Sequence, residues 1–136
     1  MNFSKTTSYA ISVLSFMARH EGEKYSAKKL NKILEIPWPY LRQLLTKLSK
    51  TGFIYSTQGR NGGFQLNKPA NQIVLAEIIN SIEGLNVLDI CIMGFKECPF
   101  DNTCAMHEVW KETRNSISKV LNETTLDQLI KTDKSL

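Results

Sequence analysis

The sequence predicts a mainly α-helical fold with one small β-hairpin: a winged helix-turn-helix followed by a long C-terminal dimerisation helix. Three observations carry that prediction. Apolar residues recur at helical spacing in three successive segments before Gly52. An Asn61-Gly62 pair between two short apolar runs, Phe53–Thr57 and Phe64–Leu66, follows at once, and such a pair is a strong hairpin signal. A segment from about Cys104 to Leu121 then carries an unusually wide apolar face.

The first helix is expected over Thr7–Arg19, where Tyr9, Ala10, Val13, Phe16 and Met17 share a face, and His20-Glu21-Gly22-Glu23 ends it. Ser26 is a good N-cap for a short second helix, Ala27–Leu34, with Leu30, Ile33 and Leu34 expected inward. After a tight turn at Glu35-Ile36, Pro37 and Pro39 suit the first turn of a third helix, where a missing N–H costs nothing. Leu41, Leu44, Leu45 and Leu48 form its stripe, and Gly52 stands where a C-terminal cap belongs. Two helices joined by a short turn make a helix-turn-helix, and a hairpin directly after it is a wing. Beyond it, a short strand is expected at Gln72–Val74, a helix at Leu75–Glu83 closed by Gly84, and a loop over 85–103. The long helix places Met106, Val109, Trp110, Thr113, Ile117, Val120 and Leu121 on one face, a seam for a homodimer or a surface packed on the chain's own winged part. Thr125-x-x-Gln128 resembles a capping box that opens a last short helix. The expected division is 1–70, a winged helix-turn-helix domain that binds DNA, and 71–136, the cysteine loop and dimerisation helices.

Composition agrees with an ordinary soluble globular chain: 136 residues, 42% hydrophobic and 22% charged. No apolar run approaches the roughly 20 residues of a membrane helix. Met1–Lys5 lacks the layout of a signal peptide, so a cytoplasmic protein with no membrane partner is expected. The net charge of +4 conceals a division. Residues 1–70 carry 11 Lys/Arg against 3 Asp/Glu, whereas residues 71–136 carry 6 against 10. Unless that asymmetry is chance, the first half meets a polyanion and the second does something else.

In a helix-turn-helix the second helix enters the major groove of double-stranded DNA by its N-terminal end. The outward positions here are Trp38, Pro39, Tyr40, Arg42, Gln43, Thr46 and Lys47. Arg42 can span the O6 and N7 of guanine, and Gln43 can pair similarly with adenine. Tyr40, Thr46, Lys47 and Lys50 are better suited to phosphates. At the wing tip, Arg60 and Asn61 could reach an adjacent minor groove. Any one of these cations alone would be ordinary surface solvation; the combination of helix pattern, glycine-rich hairpin and basic half is what points to DNA.

Cys91, Cys98 and Cys104 are the only cysteines, separated by six and then five residues, and His107 follows Cys104 by three. An odd number packed into one segment argues for a local site in a reducing compartment, against a disulfide framework. If Cys104 and His107 lie on one helix face, both can point at one ion or cluster. Soft sulfur donors suit an iron–sulfur cluster or zinc; a thiol redox switch and plain buried cysteines remain open beside them. Catalysis is the weakest reading. The two histidines, His20 and His107, have no neighbouring nucleophile with an orienting acid in a recognisable motif, and no Cys-x-x-Cys is present.

These pieces resemble the bacterial winged-helix iron–sulfur transcriptional regulators that include IscR and NsrR. The carriers are Tyr9-Ala10, Tyr40-Leu41-x-Gln43-Leu44, Gly59-x-x-Gly62-Gly63-Phe64, Cys91…Cys98…Cys104-x-x-His107-x-x-Trp110, and Thr125-Leu126-x-x-Leu129. The resemblance spans nearly the whole chain. It implies a homodimer with the long helix crossing its partner, a palindromic operator, and Cys91, Cys98, Cys104 and His107 as ligands of a cluster, [2Fe–2S] favoured over [4Fe–4S]. It also implies differences. Arg42 stands where IscR has a glutamate, and Pro37 and Pro39 replace serines, so the DNA preference should differ. In the wing, Gln58 stands where the family usually has an arginine, leaving Arg60 to read the minor groove in its place. The rivals are a cluster-free thiol-redox or zinc-sensing regulator on the same fold and, from another class, an iron–sulfur electron-transfer or carrier protein.

Overall fold

A computed structural model describes residues 3–101 and 103–132; Met1, Asn2 and residues 133–136, the end of the expected second domain, lie outside the described residues. Helix α1 spans Lys5–Arg19, α2 Ala27–Leu34 and α3 Trp38–Lys50, followed by strands β1, Ile54–Thr57, and β2, Gly63–Leu66. A 3-10 turn at Ala70–Gln72 leads to α4, Leu75–Ile82; a second, Asn86–Asp89, precedes α5, Met106–Glu123, and α6, Leu126–Thr132. The mainly helical class with one antiparallel hairpin is as expected.

Local chemistry explains the element ends. Ser4 and Ser26 cap α1 and α2, their hydroxyls accepting from the N–H groups of Thr7 and Lys29, each at 3.2 Å. Glu35 ends α2 in the left-handed conformation (φ 55°), which turns the chain into α3. The leucine stripe of α3 is buried throughout, and against it pack Ala10, Val13, Leu14 and Met17 of α1, Leu30 of α2 and Ile54 of β1. Fully burying one such side chain contributes about 1.5–3 kcal/mol, so this interface is a large source of stability. Strand β1 pairs with β2 in the register Ile54↔Leu66 to Thr57↔Gly63. Tyr25 adds a single bridge to Phe64, which pins the wing to the segment before α2. Gly62 is required by space: a Cβ there would lie 2.1 Å from the Thr57 carbonyl oxygen.

Helices α4 and α6 pack against α1, and Ile73, Ile78 and Leu126 join the same core. Three details depart from expectation. Ile33 is 49% exposed, because the eight-residue α2 presents only a narrow stripe centred on Leu30 to its neighbours. Residues 72–74 form no strand of their own; Val74 makes one isolated bridge to Thr125, flanked by hydrogen bonds from Leu75 N–H to Thr124 O and from Leu126 N–H to Ile73 O. Cys104 precedes α5 instead of lying within it, although its carbonyl accepts from His107 N–H at 3.0 Å and so closes the turn that leads into the helix. The apolar face of α5 has no buried residue: Trp110, Ile117 and Leu121 are half-buried, and Met106, Val109 and Val120 are exposed, which leaves the seam reading open. The capping box forms as expected: Thr125 N–H donates to Gln128 Oε1 at 2.9 Å, and Gln128 N–H to Thr125 Oγ1 at 3.1 Å. Among the described residues no helix is long and apolar enough to cross a membrane.

Candidate nucleic-acid interface and cysteine site

Burying the leucine stripe of α3 turns its opposite face outward. Trp38, Pro39, Tyr40, Arg42, Gln43, Thr46 and Lys47 are all exposed, and so are Gln58, Arg60 and Asn61 at the hairpin tip. Trp38, Pro39, Arg42, Gln43, Thr46, Lys47 and Lys50 line one shallow depression along the helix. A second depression joins α3 to α2 and β1 and adds Ala27, Ser49 and Ser56. Those three are small or polar and carry no local signal in the sequence; only the packing of the three elements brings them to this surface.

The outward residues are not equivalent. Arg42 lies with its guanidinium carbon 6.0 Å from the Trp38 ring centroid, within cation–π reach. Thr46 donates its hydroxyl to the Arg42 carbonyl at 3.0 Å and is tied to its own helix. Tyr40 leans toward α1, edge-on to Tyr9 at 6.3 Å between ring centroids. Lys47 donates to the Ile82 carbonyl at the C-terminal end of α4, at 3.1 Å, where a cation also meets the negative end of the helix dipole. Beside it, Glu83 accepts from Ser4 N–H at 2.8 Å and from the Thr7 hydroxyl. The end of α4 is therefore tied both to the outward-facing helix and to the start of α1.

From that joint the chain runs through Asn86–Asp89 to the cysteines. Cys91, Cys98, Cys104 and His107 all line one cavity of about 200 Å³, walled by Ile92, Phe95, Phe100 and Trp110 with Asp89, Lys96 and Arg114 at its edges. The three thiols are half-buried. Turns build the cavity: Gly94, with φ 89°, donates its N–H to the Cys91 carbonyl at 2.8 Å, and Thr103 N–H donates to Phe100 O at 2.9 Å. Trp110 donates its indole N–H to the Ile90 carbonyl at 2.9 Å, fastening the residue before Cys91 to α5. Three sulfurs and an imidazole in one partly apolar cavity are a donor set that fits an iron–sulfur cluster. Among the described residues, no three His, Cys, Asp or Glu side chains converge closely enough to hold a single ion.

The structure thus gathers the four expected cysteine-site residues in one cavity and the expected α3 residues on one face, with Tyr40 and Lys47 turned to neighbouring helices. Similar proteins share this architecture. NsrR of Oceanobacillus iheyensis, an HTH-type transcriptional regulator, is 33% identical over all of this chain and 94% of its own length. CymR, the global cysteine regulator of B. subtilis, superposes with a TM-score of 0.82 at 25% identity over 98% of this chain and 99% of its own. IscR of T. potens does so with a TM-score of 0.76 at 26% identity, covering 98% and 89%. Residues 3–132 match the Rrf2 family, described as an iron-dependent transcriptional regulator, and the chain belongs to that family of DNA-binding regulators.

Proposed function

We propose that this protein is a homodimeric regulator whose affinity for a palindromic operator is set by an iron–sulfur cluster held by Cys91, Cys98, Cys104 and His107, [2Fe–2S] over [4Fe–4S]. The observation that carries the reading is the convergence of all four residues on one cavity. Residues 1–70 supply the DNA contacts: Arg42 and Gln43 to base edges, Trp38, Pro39, Thr46 and the lysines around them, and Gln58, Arg60 and Asn61 from the wing. Residues 71–136 supply control and the dimer seam. When bound, the cluster supplies a redox-sensitive link between otherwise separate turns. The chain's own residues carry the effect onward: Trp110 holds Ile90 beside Cys91, and the end of α4 is tied to α3 through Lys47 and to α1 through Glu83. Ordering the segment 85–103 would bias this joint, and a switch requires that one arrangement be favoured by a few kcal/mol, roughly.

A cluster-free thiol regulator on the same dimer is the second reading. It is supported by the likeness to CymR, the global cysteine regulator of B. subtilis.

The test is an absorbance spectrum of protein purified without oxygen, with iron and sulfide assays. Visible cluster bands with about two irons and two sulfides per chain, lost in Cys91→Ser, Cys98→Ser or Cys104→Ser, are expected. Colourless, iron-free protein after anaerobic reconstitution would overturn the cluster and leave the thiol reading. DNA binding should weaken steeply between low and moderate salt; a salt-insensitive protein would instead fit an electron carrier.

A further inference from the structure

Resting on the DNA-binding reading above, we infer that Trp38 is a specificity-determining positioning residue: its indole holds the Arg42 guanidinium so that Arg42 reads a guanine in each operator half-site. Trp38 and Arg42 are one turn apart on the exposed face of α3, a spacing that brings side chains together. The guanidinium carbon sits 6.0 Å from the ring centroid, and no carboxylate pairs with Arg42 among the described residues.

The backbone that carries the ring is constrained on both sides. Pro37 is the N-cap residue and Pro39 lies in the first turn, so the backbone on both sides of Trp38 has its φ locked. An arginine that meets a base from solution must first freeze its side-chain torsions. A cation–π contact with a ring carried on a backbone fixed by two prolines restricts them before DNA arrives, which is preorganisation. Such a contact engages the guanidinium without using its N–H donors, which stay free to span guanine O6 and N7. The neighbouring cations on this surface, Lys47 and Lys50, are point charges without such a fork.

The experiment uses the full-length protein purified without oxygen. A randomised duplex library is enriched on the wild type. The resulting operator is then compared with a copy in which the conserved guanine is 7-deazaguanine, which lacks one of the two acceptors. Arg42→Ala should lose about tenfold or more in discrimination between the two duplexes. Trp38→Ala should lose about two- to fivefold, Trp38→Phe less than about twofold, and the double variant Trp38→Ala/Arg42→Ala no more than Arg42→Ala alone. The salt slope of Trp38→Ala should equal that of the wild type, because no phosphate contact is removed. Trp38 is 39% exposed and outside the core, so both single variants at this position should fold. Enriched half-sites without guanine, a Trp38→Ala variant that discriminates as well as the wild type, or one that loses affinity equally on every duplex would overturn the inference while leaving operator binding intact. A wild type that enriches no sequence and binds duplex without salt dependence would overturn the DNA-binding reading beneath it.

Discussion

Helices α3 and α5 carry the same kind of apolar stripe and meet opposite fates. Leu41, Leu44, Leu45 and Leu48 of α3 are at most 3% exposed, whereas Val109 and Val120 of α5 are 56% and 58% exposed and no residue of α5 is buried. A stripe at helical spacing reports that a face is to be covered; it does not say whether the cover comes from the same chain or another. The contrast makes the largest predicted effects. Leu41→Ala should remove about 2–5 kcal/mol of stability in urea unfolding, because it opens a cavity in a closed core. Val120→Asp should leave helix content and monomer stability nearly unchanged and shift the sedimentation profile from dimer to monomer. If Val120→Asp unfolds the chain as severely as Leu41→Ala does, α5 belongs to the same closed core and the comparison fails.

The contrast also marks what the sequence could reveal. The span of α2, the α3 stripe, the hairpin and the Thr125–Gln128 capping box were legible because each rests on contacts a few residues apart. Grouping the cysteines with His107 was legible for the same reason, being a matter of unusual residue types within one short segment. The Val74↔Thr125 bridge was not, since it joins distant segments through a single pair. Nor were the hydrogen bond from Lys47 to Ile82 or the contact of Tyr40 with Tyr9. An outward position on a helical wheel does not reveal which neighbouring helix has a carbonyl or a ring within reach. Ile33 fails for a related reason: at the margin of a stripe, exposure depends on how far the partner helix extends.

Helix α6 sharpens the comparison, because it follows α5 in the chain and yet belongs to the closed core. Leu126 is fully buried, and the residues on either side of Thr125 hydrogen-bond to the strand-like segment at Ile73–Leu75. Thr125→Ala removes the hydroxyl that accepts from Gln128 N–H and should cost about 1 kcal/mol, seen as a lower urea midpoint with the dimer unaffected. A loss of dimer with an unchanged midpoint would assign α6 to the interface instead.

The smallest effect concerns the joint between the two regions. Burial pushes the Glu83 carboxyl up, but the Thr7 hydroxyl and the side chain and N–H of Ser4 outweigh it and hold the group below its ordinary value of 4.5. The charged form is therefore favoured by folding. A group depressed in this way contributes stability above its unfolded pKa and loses that contribution as pH falls through the folded value. Glu83→Gln should consequently be less stable than the wild type at neutral pH, by an amount that stays flat down to about pH 5 and closes at lower pH as the wild-type carboxyl takes up a proton. Because Glu83 is exposed, solvent and salt screen the contribution, and the gap should narrow further at high ionic strength. A gap that persists unchanged through the acid range would mean that the shape of the side chain, not its charge, fastens α4 to α1. In that case the neighbouring hydrogen bond from Lys47 to Ile82 would be the only charged tie between the end of α4 and the winged half among the described residues.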